Sequence, residues 1–128
     1  MVNQASSLEW IKKAEEDFQF AKINFEEEKE FFDQICFHFQ QSAEKYLKAY
    51  IVAKNLEFRK IHELPTILDH CVKNDSSFEV LREECEYLTE FYMETRYPTL
   101  WEGKITKEHA KKALMAIEKI RNFVRGKI

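Results

Sequence analysis

Four segments of the sequence carry apolar residues at alternating spacings of three and four, and this pattern strongly limits how the chain can fold. The first and last of these stripes are Ile11, Ala14, Phe18, Ala21 and Phe25, and Ala110, Ala113, Ile117, Ile120 and Val124. That spacing places apolar side chains on one face of an α-helix. Only two glycines and two prolines occur in 128 residues, so turns are few. The pattern predicts long helices and no β-sheet.

Capping signals mark where these helices should begin. Residues 6–9 and 76–79 match a capping box, and Asp33 and Thr106 are candidate N-cap residues. We expect long helices near residues 7–28, 33–54, 77–95 and 106–125. A short helix is expected between the second and third, with Pro65 in its first turn, where proline is tolerated. The predicted fold class is therefore all-α, an antiparallel four-helix bundle with an additional short helix, as a single domain over residues 1–128.

The composition indicates the compartment of the protein and the role of its cysteines. No apolar run approaches the roughly 18–20 residues that span a bilayer, and the first ten residues lack signal-peptide features. We therefore expect a cytoplasmic protein without a membrane partner. The three cysteines, Cys36, Cys71 and Cys85, form no CxxC pair and lie on apolar stripes. This indicates small buried thiols rather than metal ligands or disulfides.

The net charge of −3 is distributed unevenly along the chain. Residues 104–128 carry a net +6, and residues 1–103 carry a net −9. The acidic total argues against a general nucleic-acid binder, whereas the asymmetry suits an anionic ligand or self-association. A plainer interpretation is that the late positive charges complement the dipole of the last helix.

The second predicted helix has an unusual polar face opposite its core stripe. That face carries Gln34, His38, Gln41, Lys45 and Lys48, with apolar residues among them. Such a mixed face is either wetted, dimer-facing or a surface that meets a ligand. Off the stripes of the first two helices lie Phe20, Ile23, Phe37 and Val52. Since one bundle cannot easily bury them all, they predict a homodimer.

The sequence contains no local motif for a phosphate-binding loop or a metal site. Two glycines cannot build a phosphate-binding loop, and neither HExxH nor a paired ExxH occurs. The remaining candidates include Arg96, whose guanidinium suits phosphate, and Tyr97, whose ring can stack on a base. Alternatively, Arg96 caps its helix and Tyr97 packs over the bundle end. For His62 there are two interpretations: it binds an anion at the start of the short helix, or it only caps that helix.

The segments FHFQQSAEKYLKAYIVAKN, KIHEL and TRYPT, followed by a lysine-rich last helix, resemble the higher eukaryote and prokaryote nucleotide-binding (HEPN) family. The resemblance is to its small stand-alone bacterial and archaeal branch. It implies a bundle of four to five helices that commonly dimerises. It also implies a minimal nucleotidyltransferase as partner, in toxin–antitoxin or related defence systems. Many members are metal-independent ribonucleases that use an arginine followed after four to six residues by a histidine.

The sequence departs from that ribonuclease pattern. After Arg96, the positions for the histidine hold Trp101, Glu102 and Gly103. A cation for the phosphorane is present, but the general base is missing from its place. The resemblance thus implies a non-catalytic or weakly catalytic homodimer that binds a nucleotide or RNA and partners a nucleotidyltransferase, without metal or cofactor. The residues proposed to bind are Arg96, Tyr97, Lys45, His38, Gln41 and His62. Two alternatives are a ribonuclease toxin in which His38 or His62 replaces the missing histidine, and a purely structural dimeric partner.

Overall fold

The computed structural model describes the backbone of residues 4–96 and 104–128, and the side chains of residues 6–92 and 104–128. Within these ranges no residue lies in a β-strand. The helices are α1 (Gln4–Glu26), α2 (Phe32–Ala53), α3 (Leu64–Asn74), a 3₁₀ helix (Ser76–Leu81), α4 (Arg82–Arg96) and α5 (Lys107–Arg125). The all-α fold with four long helices and one short one is confirmed. None of the described helices is both long and apolar enough to cross a membrane.

Helix α2 is the centre of the bundle and contacts all four other α-helices. Its inner face is fully buried, and includes Ile35, Phe39, Ala43, Tyr46 and Leu47. Burial of such apolar surface, at about 25 cal/mol per Å², is the main source of stability. The predicted core stripe of α2 is therefore confirmed, and its opposite face is left to polar contacts.

The three cysteines are buried in this core, as predicted from their positions on apolar stripes. Burial raises the pKa of Cys36, Cys71 and Cys85 to about 12 in each case. The thiolate, which is the nucleophilic and metal-binding form, is therefore disfavoured. Among the described side chains, no group of three or more His, Cys, Asp or Glu residues is placed to hold a metal ion.

The first two helices do not begin as predicted. Helix α1 already starts at Gln4, so Ser6 lies inside the helix and is not its N-cap. In α2 the N-cap is Phe31, which makes no side-chain capping bond, and Asp33 lies in the first turn. A carboxylate in that first turn still complements the helix dipole. Capping by Ser6 and Asp33 was therefore a wrong prediction.

Of the two later predicted helix starts, the first is wrong and the second is confirmed. Asp75, rather than Ser76, caps the 3₁₀ helix before α4, accepting the Ser77 backbone N–H at 3.0 Å. The predicted helix at 77–95 therefore begins as a 3₁₀ segment. Thr106 is confirmed as the N-cap of α5. Its backbone N–H donates to Nδ1 of His109 at 2.9 Å, so histidine takes the place that glutamate usually holds in a capping box.

The apolar residues that lie off the core stripes differ in their exposure. Phe20 and Ile23 are each 49% exposed, as predicted. Val52 was expected to stay outside a single bundle, but it is only 5% exposed, because α2 is enclosed by several elements. In α4, Phe91 is fully buried, whereas the neighbouring Tyr92 is half-buried.

A carboxylate on α1 joins three helices. The Nε and Nη2 atoms of Arg121 in α5 donate to the two oxygens of Glu15 at 2.8 and 2.9 Å. The hydroxyl of Tyr46 in α2 donates to the same carboxylate. The hydrogen bond from Arg121 outweighs partial burial, and it lowers the pKa of Glu15 to about 2.

Glu15 should make the stability of the fold depend on pH. Since its pKa falls from 4.5 to about 2 on folding, its contribution is complete above about pH 4.5 and is lost as the pH falls toward 2. We expect Glu15→Gln to lower the free energy of unfolding at neutral pH by about 1–2 kcal/mol, a figure reduced for partial exposure. Urea denaturation at neutral pH and near pH 3 measures this, with the exposed Glu16→Gln as control. An unchanged pH dependence in Glu15→Gln would refute the assignment.

Candidate ligand-binding face of helix α2

The polar face of α2 lies between α1 and α4 and becomes more covered along its length. Gln34 is exposed, His38, Gln41 and Lys45 are half-buried, and Lys48 is only 5% exposed. A wetted helix face would stay exposed throughout, so that interpretation is wrong for its C-terminal half. The partners of these side chains show what the face is built to do.

His38 and Lys45 converge on Asp17 of α1. The Nδ1 atom of His38 lies 3.2 Å from Oδ1 of Asp17, and Nζ of Lys45 donates to Oδ2 at 2.5 Å. Burial tends to raise the pKa of Asp17, but the two hydrogen bonds outweigh it and the pKa is lowered. Because an ionised carboxylate can only accept, Nδ1 of His38 carries the proton. The Nε2 atom is the ring nitrogen that remains for a ligand.

Glu44 organises the covered half of the face. Its Oε2 atom accepts from Nζ of Lys48 at 2.8 Å and lies 2.9 Å from Nδ1 of His62. The fully buried Gln40 donates to Oε1 of Glu44 at 3.4 Å and to the His62 carbonyl at 3.3 Å. Gln41 then donates to Oε1 of Gln40 at 2.7 Å. Two predicted site residues, Gln41 and His62, are therefore linked through Gln40.

His62 does not cap its helix. The N-cap of α3 is Glu63, which makes no side-chain capping bond, and the N–H of Leu64 donates to Oγ1 of Thr89 at 2.9 Å. The interpretation of His62 as a cap is therefore wrong. Its ring stacks instead on Tyr92 of α4, with centroids 4.8 Å apart and planes within 10°.

Five rings form a continuous row across this face, which we call the ring row: Phe20, His38, Phe37, Tyr92 and His62. Successive centroids lie 4.8, 5.6, 6.4 and 4.8 Å apart. The row runs from α1 across α2 to α4 and the α2–α3 connection. Phe20 at one end is 49% exposed, and the His62 side chain at the other is 48% exposed. Phe37, His38 and Tyr92 between them are half-buried. Exposed rings beside a cation suit the stacking of nucleobases.

A groove adjoins Lys45 on the side of α1. It has a volume of about 340 Å³ and is lined by Ser6, Glu9, Trp10, Lys13 and Lys45. The Trp10 ring at its edge lies 5.5 Å from the ring of Phe58 in the α2–α3 connection. Lysines beside an indole ring extend the face toward the N-terminal half of α1.

Arg96 is the last residue of α4, one helical turn beyond Tyr92. Residues four apart share a helix face, so the Arg96 backbone continues the line of the ring row along α4. The Arg96 side chain and all of Tyr97 lie outside the described residues. Their role in binding stays a prediction.

Sequence reasoning missed the acceptors of this face, Asp17 and Glu44, and its buried amide, Gln40. Asp17 meets Lys45 only because α1 packs on α2, and nothing local in the sequence shows that pairing. Glu44 and Lys48 are an i, i+4 pair of opposite charge, which is a local signal of contact on a helix. That signal does not predict that the pair is buried.

Fold and site together define a small α-helical bundle domain whose candidate site lies on its central helix. The chain belongs to the HEPN family, since the HEPN domain profile matches residues 7–127. It is similar to TT1696 from Thermus thermophilus, with 26% identity, a TM-score of 0.79, and coverage of 95% of this chain and 98% of that one. It is also similar to ST0689, an archaeal HEPN homologue, with 25% identity, a TM-score of 0.75, and coverage of 94% and 96%. A comparison with curated proteins found no match.

Proposed function

We propose that this HEPN protein binds a nucleotide or RNA on the outer face of α2, without cleaving it. The observation that carries the proposal is the ring row, which ends at the half-exposed His62 ring and is flanked by Lys45. Stacking of a base on an aromatic side chain contributes about 1–3 kcal/mol and tolerates any base. Arg96, which follows the row along α4, supplies a guanidinium suited to a phosphate.

The Asp17 carboxylate limits how tightly this face binds a phosphate. Both Lys45 and His38 already contact its carboxylate, so an incoming phosphate must compete with it. A phosphate alone is therefore expected to bind weakly, and stacking on the ring row must add to the affinity. This distinguishes the face from a simple anion site.

We also propose that the protein is a homodimer and partners a minimal nucleotidyltransferase in a toxin–antitoxin or related system. Family membership supports the partner, and the half-exposed Phe20 and Ile23 on one side of α1 support an interface. The missing histidine after Arg96 supports a binding role rather than a catalytic one.

The dimer gives a direct prediction. Wild-type protein should sediment as a dimer at micromolar concentration, and Phe20→Ser with Ile23→Ser should shift it to a monomer, because apolar contact area is removed. Sedimentation velocity measures this. Leu8→Ser with Val80→Ser is the control, since these residues are 56% and 53% exposed yet lie elsewhere. A monomeric wild type would end the dimer proposal.

Arg96→Ala should abolish binding of ATP, GTP and a short RNA. Its stability loss should be no more than about 1–2 kcal/mol, which is typical of a surface or partly buried polar change. Calorimetric titration measures the binding, with Arg125→Ala as control, since Arg125 is an exposed arginine at the end of α5 paired with Glu15. If the wild type gives no heat with any of the three ligands, the site is refuted. Stability loss in Arg96→Ala would then favour a capping role for Arg96.

A second candidate function, RNA cleavage, is favoured by the contact between Asp17 and His38. A carboxylate that holds Nδ1–H leaves Nε2 placed as a general base, which is the orienting half of an acid–base site. Metal-free cleavage of a fluorogenic RNA by the wild type, lost in His38→Ala and kept in His70→Ala, would support this candidate. No cleavage by the wild type would remove it.

A further inference from the structure

The connection between α2 and α3 crosses the C-terminal half of the α2 face; we call residues 55–63 the strap. Its first residues are held by the Leu56 N–H on the Ile51 carbonyl at 2.9 Å, and the Phe58 ring lies on Trp10. At its other end Ile61 packs against the core, and His62 contacts Glu44, Gln40 and the Tyr92 ring. Residues 57–60, between the first and last of these contacts, are all exposed. The strap is therefore held mainly at its two ends, with Phe58 between them, and has no helical hydrogen bonds of its own.

The strap covers a lysine. Lys48 is 5% exposed, and its Nζ lies 5.6 Å from the centroid of the Phe58 ring and 2.8 Å from Glu44. Since it follows Lys45 by three residues, it continues the same line of α2. Burying an ion pair costs desolvation that an apolar pair of similar size avoids. Packing alone therefore gives no reason for a lysine at this position.

We propose that the strap is a lid over a concealed part of the binding face, and that Lys48 is a phosphate-binding residue hidden beneath it. This inference rests on the proposed binding of a nucleotide or RNA. When Phe58 leaves Trp10 and His62 leaves its contacts with Glu44, Gln40 and Tyr92, Lys48 is uncovered about 4.5 Å along the helix axis from Lys45. Two lysines at this spacing each contact one of two consecutive phosphates. The open state therefore favours a nucleic-acid chain over a single phosphate.

Chemical labelling tests the lid without any ligand. In the wild type, Lys48 should react with sulfo-NHS-acetate about tenfold more slowly than the exposed Lys13, and Phe58→Ala should largely remove that protection. Mass spectrometry of peptides reports each lysine. Phe31→Ala is the matched control, since Phe31 is 45% exposed against 40% for Phe58 and lies outside the strap. Unchanged circular dichroism verifies folding, and Lys48 labelling that is equally slow in Phe58→Ala overturns the lid.

Binding of a fluorescein-labelled single-stranded oligouridylate, followed by anisotropy, tests what the lid conceals. Phe58→Ala should bind about fivefold more tightly than the wild type, and adding Lys48→Ala should cancel the gain. If the wild type binds and Phe58→Ala binds equally well, the lid is overturned while the proposed function stands. If no form binds, both are overturned. Tighter binding that survives Lys48→Ala overturns the role of Lys48.

Discussion

Replacing Glu44 with alanine should lower the free energy of unfolding by about 3 kcal/mol, because it removes one partner of a buried ion pair. The Glu44 carboxylate, in a residue only 6% exposed, accepts from Lys48 and Gln40 and contacts His62. Without it the Lys48 ammonium, itself 5% exposed, keeps its desolvation cost and loses its counter-charge. The strap also loses one of the contacts that His62 makes.

Urea denaturation at neutral pH measures this loss. Glu86→Ala is the control, since Glu86 is an exposed glutamate on α4. The double variant Glu44→Gln with Lys48→Met should recover part of the stability, because no buried charge is then left without its partner. A loss in Glu44→Ala no larger than that in Glu86→Ala would mean that the pair is not buried in solution.

Asp17→Asn and Lys45→Ala should change RNA affinity in opposite directions, each by about tenfold, the usual range for one hydrogen bond to a charged group. Asp17 holds Lys45 at 2.5 Å and His38 at 3.2 Å. An asparagine cannot form those ion pairs, so both donors become available to a phosphate. Removing the Lys45 ammonium takes away the stronger of the two donors.

The control for Asp17→Asn is Glu16→Gln, which removes the same charge from the neighbouring position on α1. Glu16 is exposed, and its ion pair is with Lys13 rather than with Lys45 or His38. Anisotropy titration with a short RNA compares the variants. Equal gains in Asp17→Asn and Glu16→Gln would show a general charge effect, and the local competition would be refuted.

Much of the fold was predictable because its signals are local. The stripe from Ile11 to Phe25 needs only the helical period to define a buried face, and the Thr106 cap needs only its own turn. The start of the 3₁₀ helix was missed because two neighbouring residues are able to cap it. Asp75 outcompetes Ser76, since its carboxylate accepts from both the backbone N–H and the hydroxyl of Ser77.

The candidate site was only half predictable. His38, Gln41 and Lys45 lie on one predicted helix face, and the structure keeps them together. Their partners come from other elements, so Asp17 and the ring row depend on how the helices pack. Lys48 was expected on the polar surface but lies under the strap, because docking of Phe58 and His62 is a tertiary event with no period in the sequence.

The most direct test of the α2 face is to record the NMR resonances of the histidine rings. The chain has four, of which His38 and His62 are in the ring row, whereas His70 and His109 lie on α3 and α5. Side-chain NMR spectra are recorded during titration with ATP, GTP and a short RNA. The proposed site predicts that the ring resonances of His38 and His62 shift with at least one ligand while those of His70 and His109 stay in place. Shifts confined to His70 or His109, or no shift with any ligand, would contradict it.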